Sequence, residues 1–376
     1  MFEILDRDPH SAARRGRLRT AHGPVETPAF MPVGSHGSVK GLDPRDLEEV
    51  GAGMILGNAY HLYLRPGVEV IREAGGLHRF MHWEGALLTD SGGFQVHSLA
   101  ALCKVREEGV EFRSHIDGSR HFLTPERMIE VQEVLGADII MTLDDCPGLP
   151  ASRERIGAAV RRTIDWARRC LEAKKRPDQA LFAIVQGGLE PDLREECVAA
   201  LVAMPFPGFA IGGLSVGESR EGTRETAASV AASLPDLAPR YLMGVGKPGE
   251  LVEMAAAGID MFDCVLPTRN GRNGTLFTSE GTLNIKRSEF RHDERPIEEG
   301  CPCHACSHFS RAYLRHLYQS RELLGLRLNS IHNLMYYLRL MEGIRISLKT
   351  NRFREFREVF HRSGLREARA GLSESG

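Results

Sequence analysis

The chain has 376 residues, 42% of them hydrophobic and 26% charged, with a formal net charge of −2 at pH 7. These values are ordinary for a globular protein and exclude a collagen, a coiled coil or a disordered chain. No apolar run approaches the ~18 residues of a membrane span, and the N-terminus lacks the basic-then-apolar layout of a signal peptide. We therefore expect a cytoplasmic protein that does not enter a membrane.

Eight short apolar runs predict strands, because nearly continuous apolar runs are typical of strands buried on both faces. In chain order they are Thr27–Ser35, Met54–Asn58, Ala86–Asp90, Ala137–Asp144, Ala180–Gln186, Phe209–Leu214, Arg240–Gly246 and Met261–Leu266. Helical patterns lie between most of them, notably one that begins at Thr124-Pro125 and those at Arg155–Lys175, Pro191–Met204, Ser219–Leu234 and Pro248–Gly258. The alternation favours an α/β protein with a (β/α)8 TIM barrel, and a doubly wound open sheet is the alternative.

Three segments do not fit the barrel. The first ~25 residues predict a hairpin cap, and Val110–Leu123 predicts a hairpin with a two-residue turn at Asp117-Gly118. The third is a long excursion after the eighth strand, at about residues 270–350. We therefore expect a barrel with its cap over 1–269, a subdomain over 270–350 and a C-terminal helix over 351–376 that closes the barrel.

The small net charge hides an asymmetry along the chain. Residues 301–376 contain 13 Lys and Arg against 6 Asp and Glu, whereas the preceding 300 residues contain 35 against 44. A basic segment on an acidic body suggests an anionic partner. Arg269, Arg272 and Lys247 could contact phosphates in the same way. Solvated helix faces and surface ion pairs are the alternative explanation.

Three aspartates lie within or at the end of apolar runs, at the strand ends where barrel enzymes place their sites. Asp90, Asp144 and Asp263 are short carboxylates beside apolar residues, where desolvation is costly unless the group is paired or used. A loop cap or an ion pair explains one such residue, but three at matching strand ends favour function. Two opposed carboxylates suit glycosidic chemistry, in which one attacks the anomeric carbon and the other moves protons.

Glycine pairs follow several of the same runs, at 92–93, 187–188 and 212–213. Glycine lets the backbone approach a flat ligand closely and exposes N–H donors. Gln186 presents a donor and an acceptor together, which matches the edge of a nucleobase. An ordinary polar loop residue remains the alternative for Gln186.

The segment Cys301-Pro302-Cys303-His304-Ala305-Cys306 places three of the eight cysteines within six residues. In a cytosolic chain this spacing predicts a metal site, and a Cys3His set is a closed structural zinc site. The fourth ligand must come from elsewhere. His304 and His308 are close in sequence, while His332, which we place at the start of a helix over Ile331–Met341, could fold back. We expect zinc to hold a small subdomain together.

Several longer motifs follow the predicted strands. They are Asp90-Ser-Gly-Gly-Phe-Gln, Val185-Gln-Gly-Gly, Gly212-Gly-Leu-Ser-Val-Gly-Glu218, Met243-Gly-Val-Gly, Phe262-Asp-Cys-Val-Leu-Pro-Thr-Arg269 and the Cys cluster with its histidine. Taken together, these motifs resemble those of the tRNA-guanine transglycosylase family from about residue 10 to 360. The resemblance implies a (β/α)8 barrel with an inserted C-terminal zinc-binding subdomain. It also implies exchange of the wobble guanine of G-U-N anticodons for a 7-deazaguanine, on the route to queuosine.

The resemblance implies roles for particular residues. Asp263 would be the nucleophile and Asp90 the general acid/base, while Phe94 and Met243 would sandwich the purine. The base-binding residues would be Asp90, Ser91, Gly92, Gly93, Phe94, Asp144, Gln186, Gly213, Leu214 and Met243. The RNA-binding residues would be Gly244, Val245, Gly246, Lys247, Pro248, Gly249, Glu250, Thr268, Arg269, Asn270, Gly271 and Arg272. The zinc ligands would be Cys301, Cys303, Cys306 and His332.

The resemblance also implies the partners: tRNA, guanine and the incoming base, together with a second copy of the chain in a homodimer. Val216 and Cys146 follow the bacterial pattern, which predicts 7-aminomethyl-7-deazaguanine as the incoming base. Structural Zn²⁺ is the one cofactor expected. A sugar-hydrolysing barrel would give no reason for a basic, zinc-bearing appendage. A non-catalytic RNA-binding subunit would lack the nucleophile, which is present as Asp263.

Overall fold

A computed structural model describes residues 2–93, 103–214 and 216–372, with side chains to residue 362. The chain begins with an antiparallel sheet of β1 (Phe2–Arg7), β2 (Arg14–Thr20) and β3 (Gly23–Thr27). Leu18 and Val25 of this sheet are buried against the side chains that fill the barrel interior. The predicted N-terminal cap is therefore a three-stranded sheet that plugs one end of the barrel.

The centre of the molecule is a ring of parallel strands in the order β4-β14-β13-β12-β11-β10-β6-β5. Main-chain hydrogen bonds from Leu56 N–H to Pro32 O and from Gly34 N–H to Leu56 O close the ring. Each strand lies within a predicted run or overlaps it, which confirms the barrel and excludes the open sheet. The strands are β4 (Ala29–Met31), β5 (Met54–Asn58), β6 (Ala86–Asp90), β10 (Ile139–Met141), β11 (Ala180–Val185), β12 (Gly208–Ile211), β13 (Arg240–Leu242) and β14 (Met261–Asp263).

Helices lie between the barrel strands, where the sequence predicts most of them. Thr124 accepts a hydrogen bond from Arg127 N–H at the start of one helix, and Gly136 ends it in the left-handed region. Both features are common helix boundaries. The helices are α1 (Pro44–Glu49), α2 (Ala59–Leu64), α3 (Val68–Glu73), α4 (Leu77–Met81), α5 (Pro125–Leu135), α6 (Arg153–Ala173), α7 (Pro191–Val202), α8 (Arg220–Ser233), α9 (Pro248–Ala256) and α10 (Leu266–Arg272).

A second antiparallel sheet, of β7 (Cys103–Val105), β8 (Val110–Arg113) and β9 (Arg120–Leu123), precedes α5. The predicted hairpin is present, but its two-residue turn is wrong. Ser114 N–H donates to Ser119 O, so four residues lie between this closing pair. Side chains stabilise the longer loop, because the Ser114 hydroxyl accepts from Ile116 N–H and Asp117 Oδ1 accepts from Ser119 N–H.

After α10 the chain leaves the barrel and forms a helical segment with one small hairpin. The prediction that His332 lies at the start of a helix is wrong, because the residue is buried near the middle of a 27-residue helix. The elements are β15 (Thr275–Thr278), β16 (Gly281–Asn284), a 3-10 helix (Ser288–His292), α11 (His304–His308), α12 (Arg311–Gln319), α13 (Leu323–Lys349) and α14 (Phe353–Leu372).

The core has two layers that follow from alternation along the barrel strands. In β4, Ala29 and Met31 point into the barrel interior, whereas Phe30 packs outward near Tyr337 of α13. Helix α14 packs against α9 through a bidentate ion pair between Arg357 and Glu253, with N–O distances of 2.7 and 2.5 Å. Within the described ranges, none of the helices is long and apolar enough to span a bilayer.

Candidate active site

Three aspartates that the sequence singles out lie at the carboxyl end of the barrel. Asp90 is the last residue of β6, Asp263 is the last residue of β14, and Asp144 follows β10 by three residues. We call Asp90, Asp144, Gln186 and Asp263 the carboxylate pocket. Burial raises the pKa of Asp90 and of Asp144, and the charge of Asp263 adds to the effect on Asp90, as the charge of Asp90 does to that on Asp144. Asp90 therefore interacts electrostatically with both of the other carboxyl groups at the mouth of the barrel.

One carboxylate oxygen of Asp263 is fixed by hydrogen bonds, and the residue is partly exposed. Its Oδ1 accepts hydrogen bonds from the Tyr241 hydroxyl at 2.6 Å and from Gly244 N–H at 2.8 Å. Burial raises the pKa of Asp263, while these two hydrogen bonds act in the opposite direction by stabilising the carboxylate. A carboxylate fixed through one oxygen can present its other oxygen to an electrophilic carbon. Sequence reasoning missed Tyr241, which lies within an apolar run and looks like a core residue.

Asp90 is buried, with 8% of its surface exposed. Asn58 Nδ2 donates to Asp90 Oδ2 at 2.9 Å, and the same Asn58 side chain accepts from His61 N–H at the start of α2. Burial raises the pKa of Asp90 to about 6, and the charge of Asp263 acts in the same direction. A carboxyl group with a pKa near neutrality can both donate and accept a proton, which suits a general acid/base. Sequence reasoning also missed Asn58.

Asp144 and Gln186 form a hydrogen-bonded pair with a free acceptor. Gln186 Nε2 donates to Asp144 Oδ2 at 2.6 Å. Among the described residues, Gln186 Oε1 is buried and has no hydrogen-bond partner. Burial raises the pKa of Asp144 to about 7, against the hydrogen bond from Gln186. A flat ligand with several N–H groups could satisfy both side chains.

Two glycines leave room beside this pair. A Cβ at Gly93 would lie 1.9 Å from Asp144 Oδ1, and one at Gly213 would lie 2.1 Å from Gln186 Oε1. Gly213 also has a φ of +66°, in the region that glycine adopts most readily. At these two positions any other residue would displace the polar side chains of the pocket. This supports the sequence argument for close backbone approach at two of the three glycine pairs.

Arg194, on α7, connects the loops that carry Gln186 and Gly213. Its guanidinium is buried and donates to the main-chain carbonyls of Gly188 and Val185, each at 2.9 Å, and of Gly212 at 2.8 Å. Burial lowers the pKa of Arg194 to about 10. One side chain thus ties the end of β11 to the end of β12 and fixes both loops. In the sequence, Arg194 looks like any polar residue of an amphipathic helix.

The neighbouring Asp145 differs from Asp144, because arginines of α6 neutralise it. Arg155 donates to both carboxylate oxygens, at 2.7 and 2.6 Å, and Arg162 donates to Oδ2 at 2.5 Å. The second aspartate of this pair therefore anchors a helix, whereas the first faces the pocket.

Other sequence-predicted base contacts lie around the pocket. Leu214 is buried, and Met243 packs against the barrel-interior cluster. The Ser91 hydroxyl is buried and lacks a hydrogen-bond partner among the described residues. Phe94 lies outside the described residues. The roles assigned to these side chains stay predictions.

The three clustered cysteines meet His332, and the ligand atoms of the four residues lie within 4.8 Å of one another. His332 Nδ1 lies 3.8, 3.7 and 3.3 Å from the sulfurs of Cys301, Cys303 and Cys306. His332 Nε2 donates to Phe277 O at 2.7 Å, which leaves Nδ1 as the metal-binding nitrogen. We call this set the Cys3His cluster. His304 and His308 lie outside it and are exposed.

The predicted RNA-binding segments separate into two groups. Residues 244–250, Arg269 and Asn270 line one cavity of about 1530 Å³ between α8, α9, α10 and the small hairpin. We call it the α9–α10 groove. Basic and acidic side chains both line it, among them Arg220, Arg224, Lys247, Glu218 and Glu250. Thr268, Gly271 and Arg272 do not line it; Gly271 packs against the backbone of α13.

Comparison with known proteins agrees with the motifs. Residues 8–365 match the family model described as "Queuine tRNA-ribosyltransferase". A protein of that name from Symbiobacterium thermophilum is 56% identical over 360 residues, which cover 96% of this chain and 90% of the relative. Proteins of the same name from Syntrophobacter fumaroxidans and Halothermothrix orenii are 55% and 51% identical, over 96% and 98% of both chains.

Proposed function

This chain belongs to the queuine tRNA-ribosyltransferase family, and on that premise we propose that it works as a tRNA-guanine transglycosylase in queuosine biosynthesis. We propose more specifically that it exchanges the wobble guanine of G-U-N anticodon tRNAs for 7-aminomethyl-7-deazaguanine. The observation that carries this proposal is the carboxylate pocket. It pairs an oriented, partly exposed Asp263 with a buried Asp90 of raised pKa at the mouth of a barrel.

In the first step, Asp263 attacks C1′ of the target nucleotide. The C1′–N9 bond breaks, its electron pair leaves with guanine, Asp90 donates the proton that neutral guanine needs, and a covalent ribosyl–aspartate forms. Tyr241 and Gly244 hold Oδ1 and so orient the other oxygen toward the sugar. The target nucleotide must leave its base stack to reach the pocket, as in other enzymes that modify bases.

In the second step, the incoming base attacks C1′ and releases Asp263, so that two inversions give retention of configuration. Asp90 takes the ring proton of the incoming base, and its pKa of about 6 makes the carboxylate a competent base near neutral pH. Asp144, Gln186 and the Gly213 amide would bind the polar edge of the purine. Phe94 and Met243 would sandwich its faces, and Leu214 would meet the 7-substituent.

The α9–α10 groove would receive the anticodon stem and loop. Lys247 and Arg269 line it beside the strand that carries Asp263. The basic character of residues 301–376 supports phosphate contacts near the same region. We expect tRNA binding to weaken as salt rises, since phosphate contacts release counterions.

We further propose that the Cys3His cluster binds one structural Zn²⁺ per chain. Three thiols and an imidazole are the donor set of closed tetrahedral zinc sites, and the Phe277 carbonyl fixes the tautomer. The metal would hold α11 against α13. The division into a barrel over 1–269, a zinc subdomain over 270–350 and a C-terminal segment from 351 remains part of this proposal.

A homodimer is the assembly that we propose. Phe309, Tyr313 and His316 form a stacked row of rings on the segment beside the Cys3His cluster, and Tyr313 and His316 are exposed. Exposed aromatic residues are enriched at protein interfaces. In the dimer one subunit would catalyse while the other positions the tRNA, so titration should saturate at one tRNA per two chains.

Base exchange tests the proposal directly. The enzyme is incubated with bulk tRNA and radiolabelled guanine, and label in tRNA is the expected result. A denaturing gel of enzyme with tRNA should also show a covalent protein–RNA band. Absence of both label and band would refute the assignment of the activity.

A further inference from the structure

Three histidines meet at the carboxyl end of the barrel, outside the carboxylate pocket. His36 follows β4, His61 lies in α2 directly after β5, and His115 lies between β8 and β9. The ring centroids of His36 and His61 are 4.6 Å apart, and those of His61 and His115 are 6.1 Å apart. Lys40 acts electrostatically on both His36 and His61, and Arg65 acts on His36. We call these five residues the histidine cluster.

The positive charge of the histidine cluster is not balanced by carboxylates. Among the described residues, neither Lys40 nor Arg65 forms an ion pair. Burial lowers the pKa of His61 to about 4, and the charges of the two other histidines and of Lys40 act in the same direction. The pKa of His36 is also lowered, first by burial and then by its cationic neighbours. An anion bound here would oppose these shifts, because a negative charge favours the protonated imidazole.

His61 also has a hydrogen-bonding atom that the described part of the chain leaves unused. Its Nδ1 is buried and has no partner there. A buried polar atom without a partner costs free energy, which a bound ligand can recover. The rings packed against His61 belong to His36 and His115, which are exposed and therefore free to change rotamer. A ligand can reach Nδ1 from solution in this way.

The histidine cluster and the α9–α10 groove lie on different sides of Asp263. In the ring of strands, β14, which ends at Asp263, has β13 on one side and β4 on the other. The groove begins after β13, whereas His36 follows β4 and His61 follows β5. His61 is also close to the pocket, since its N–H donates to Asn58, whose side chain donates to Asp90. A nucleotide in the pocket has a phosphodiester on each side, so its strand needs two paths away from Asp263.

We propose that the histidine cluster binds one of the two phosphodiesters that flank the target nucleotide, while the groove receives the strand on the other side. This inference rests on the proposed function, because it takes tRNA as the substrate. Imidazole, ammonium and guanidinium groups all donate to phosphate oxygens, and phosphate contacts fix the position of a nucleic acid. Two anchored phosphodiesters would hold C1′ between them, within reach of Asp263.

Uncharged linkages locate the contact. An anticodon stem-loop RNA with a G-U-N anticodon is made with a methylphosphonate on either side of the target guanosine, and its Kd is measured. At one linkage, we expect loss of the charge to weaken binding by the unmodified protein about tenfold, but binding by Lys40→Gln or His61→Gln less than about twofold. Lys247→Gln should show the same coupling at the other linkage. Lys40 is exposed, so its substitution tests the charge without disturbing packing.

A matched variant and the salt dependence complete the test. Lys175→Gln, at an exposed lysine between α6 and β11 at the other end of the barrel, should bind every RNA as the unmodified protein does. In Lys40→Gln, the slope of log Kd against log salt concentration should fall by about one. The KM for guanine should stay within about twofold, because a phosphate contact does not touch the base.

Three results would overturn the inference. If the unmodified protein exchanged guanine but Lys40→Gln and His61→Gln showed no coupling to either linkage, the histidine cluster would not bind the phosphodiester. Coupling of Lys40→Gln and Lys247→Gln to the same linkage would contradict two paths on different sides of Asp263. A protein that labelled no tRNA would refute the proposed function itself, and this inference with it.

Discussion

The carboxylate pocket and the Cys3His cluster are both built from buried polar side chains, but they differ in what those side chains contact. In the pocket, burial raises the pKa of Asp144 to about 7, and Gln186 Oε1 has no partner within the described part of the chain. In the Cys3His cluster, all ligand atoms face one another, and the second nitrogen of His332 is bonded to Phe277. A site for a ligand that exchanges leaves polar groups without protein hydrogen-bond partners. In a structural metal site the ligand atoms face one another. Substitutions in the carboxylate pocket should therefore lower activity without lowering stability, whereas substitutions in the Cys3His cluster should lower stability.

The largest effect on rate is expected for Asp263→Asn. Asparagine can still accept from Tyr241 and Gly244, so the fold should be retained, but it cannot form the ribosyl ester. We expect base exchange to fall by at least about 10⁴-fold and the covalent protein–RNA band to disappear. Guanine exchange kinetics and denaturing gels measure both. A surviving band in Asp263→Asn would refute the nucleophile assignment.

The largest effect on stability is expected for Cys306→Ala. Loss of one thiolate should remove the zinc and lower the free energy of unfolding by several kcal/mol, because metal binding and folding are coupled. Metal analysis and urea unfolding measure the two quantities. His332→Ala should behave in the same way, and His308→Ala, at an exposed histidine of α11, should keep its zinc. If the His332→Ala protein kept its full zinc content, the fourth ligand would be a residue other than His332.

Asp144→Asn should separate activity from stability. The folded pKa of Asp144 is raised, so its contribution to stability is present below the unfolded pKa and is lost as pH rises through about 7. Removing the charge should stabilise the protein at pH 8 by on the order of 2 kcal/mol and leave stability at acidic pH nearly unchanged. Base exchange should fall by roughly 10²- to 10³-fold, since the amide cannot accept both purine N–H groups.

The adjacent Asp145 provides the matched control. Asp145→Asn leaves Arg155 and Arg162 without their carboxylate, so we expect it to destabilise the fold by roughly 3–5 kcal/mol. Unfolding curves of both variants at acidic and alkaline pH test the contrast. If Asp144→Asn destabilised the protein as much as Asp145→Asn at pH 8, Asp144 would be a structural residue.

A smaller effect is expected for Arg194→Lys. A lysine ammonium can reach fewer of the carbonyls of Val185, Gly188 and Gly212 than a guanidinium can. We expect the KM for the base to rise about tenfold, with a smaller change in kcat and an unchanged KM for tRNA. Arg153→Lys, in an exposed ion pair of α6, serves as the control. A rise in the KM for tRNA alone would show that Arg194 does not position the base-binding loops.

The sequence predicts the barrel and its three aspartates because both depend on local pattern. Apolar runs indicate burial, and an aspartate within or at the end of three of these runs indicates the carboxyl end of a strand. Tyr241 was missed because its hydroxyl reaches Asp263 only through the parallel pairing of β13 with β14. Asn58 and Arg194 were missed because their partners are also set by the fold: Asn58 contacts Asp90 of the neighbouring strand, and Arg194, on a helix, contacts carbonyls at and beyond the ends of β11 and β12.

The wrong helix boundary before His332 has a local cause. Asn329 and Ser330 look like a helix start, because both residue types favour the N-cap. In the structure the Ser330 hydroxyl donates to Leu326 O, four residues earlier within α13. The true N-cap position, Glu322, makes no side-chain capping bond, so the sequence carries no start signal there.

The smallest effect on guanine exchange, and the finest test of the pocket, is expected for Val216→Gly. Val216 follows the Gly213 loop, and its main chain is held from both sides. Its N–H donates to Glu218 Oε2 at 3.0 Å, and its carbonyl accepts from Leu149 N–H at 3.4 Å. A β-branched side chain on such a backbone cannot easily swing away. We therefore expect a rigid wall that admits the aminomethyl base and rejects queuine, which carries a bulky cyclopentenediol.

Removing the Val216 side chain should change which base the enzyme accepts. It should leave the rate of base exchange almost unchanged, because Asp90, Asp144 and Asp263 stay in place. We expect guanine exchange within about threefold of the unmodified enzyme and the queuine-to-guanine ratio of kcat/KM to rise at least about tenfold. Val216→Ala should fall between the two, which controls for the added backbone freedom of glycine. The measurement is kcat/KM for guanine, 7-aminomethyl-7-deazaguanine and queuine in all three proteins. Efficient queuine use by the unmodified enzyme would refute the wall, whereas an unchanged ratio in Val216→Gly would place the wall at another residue of the pocket.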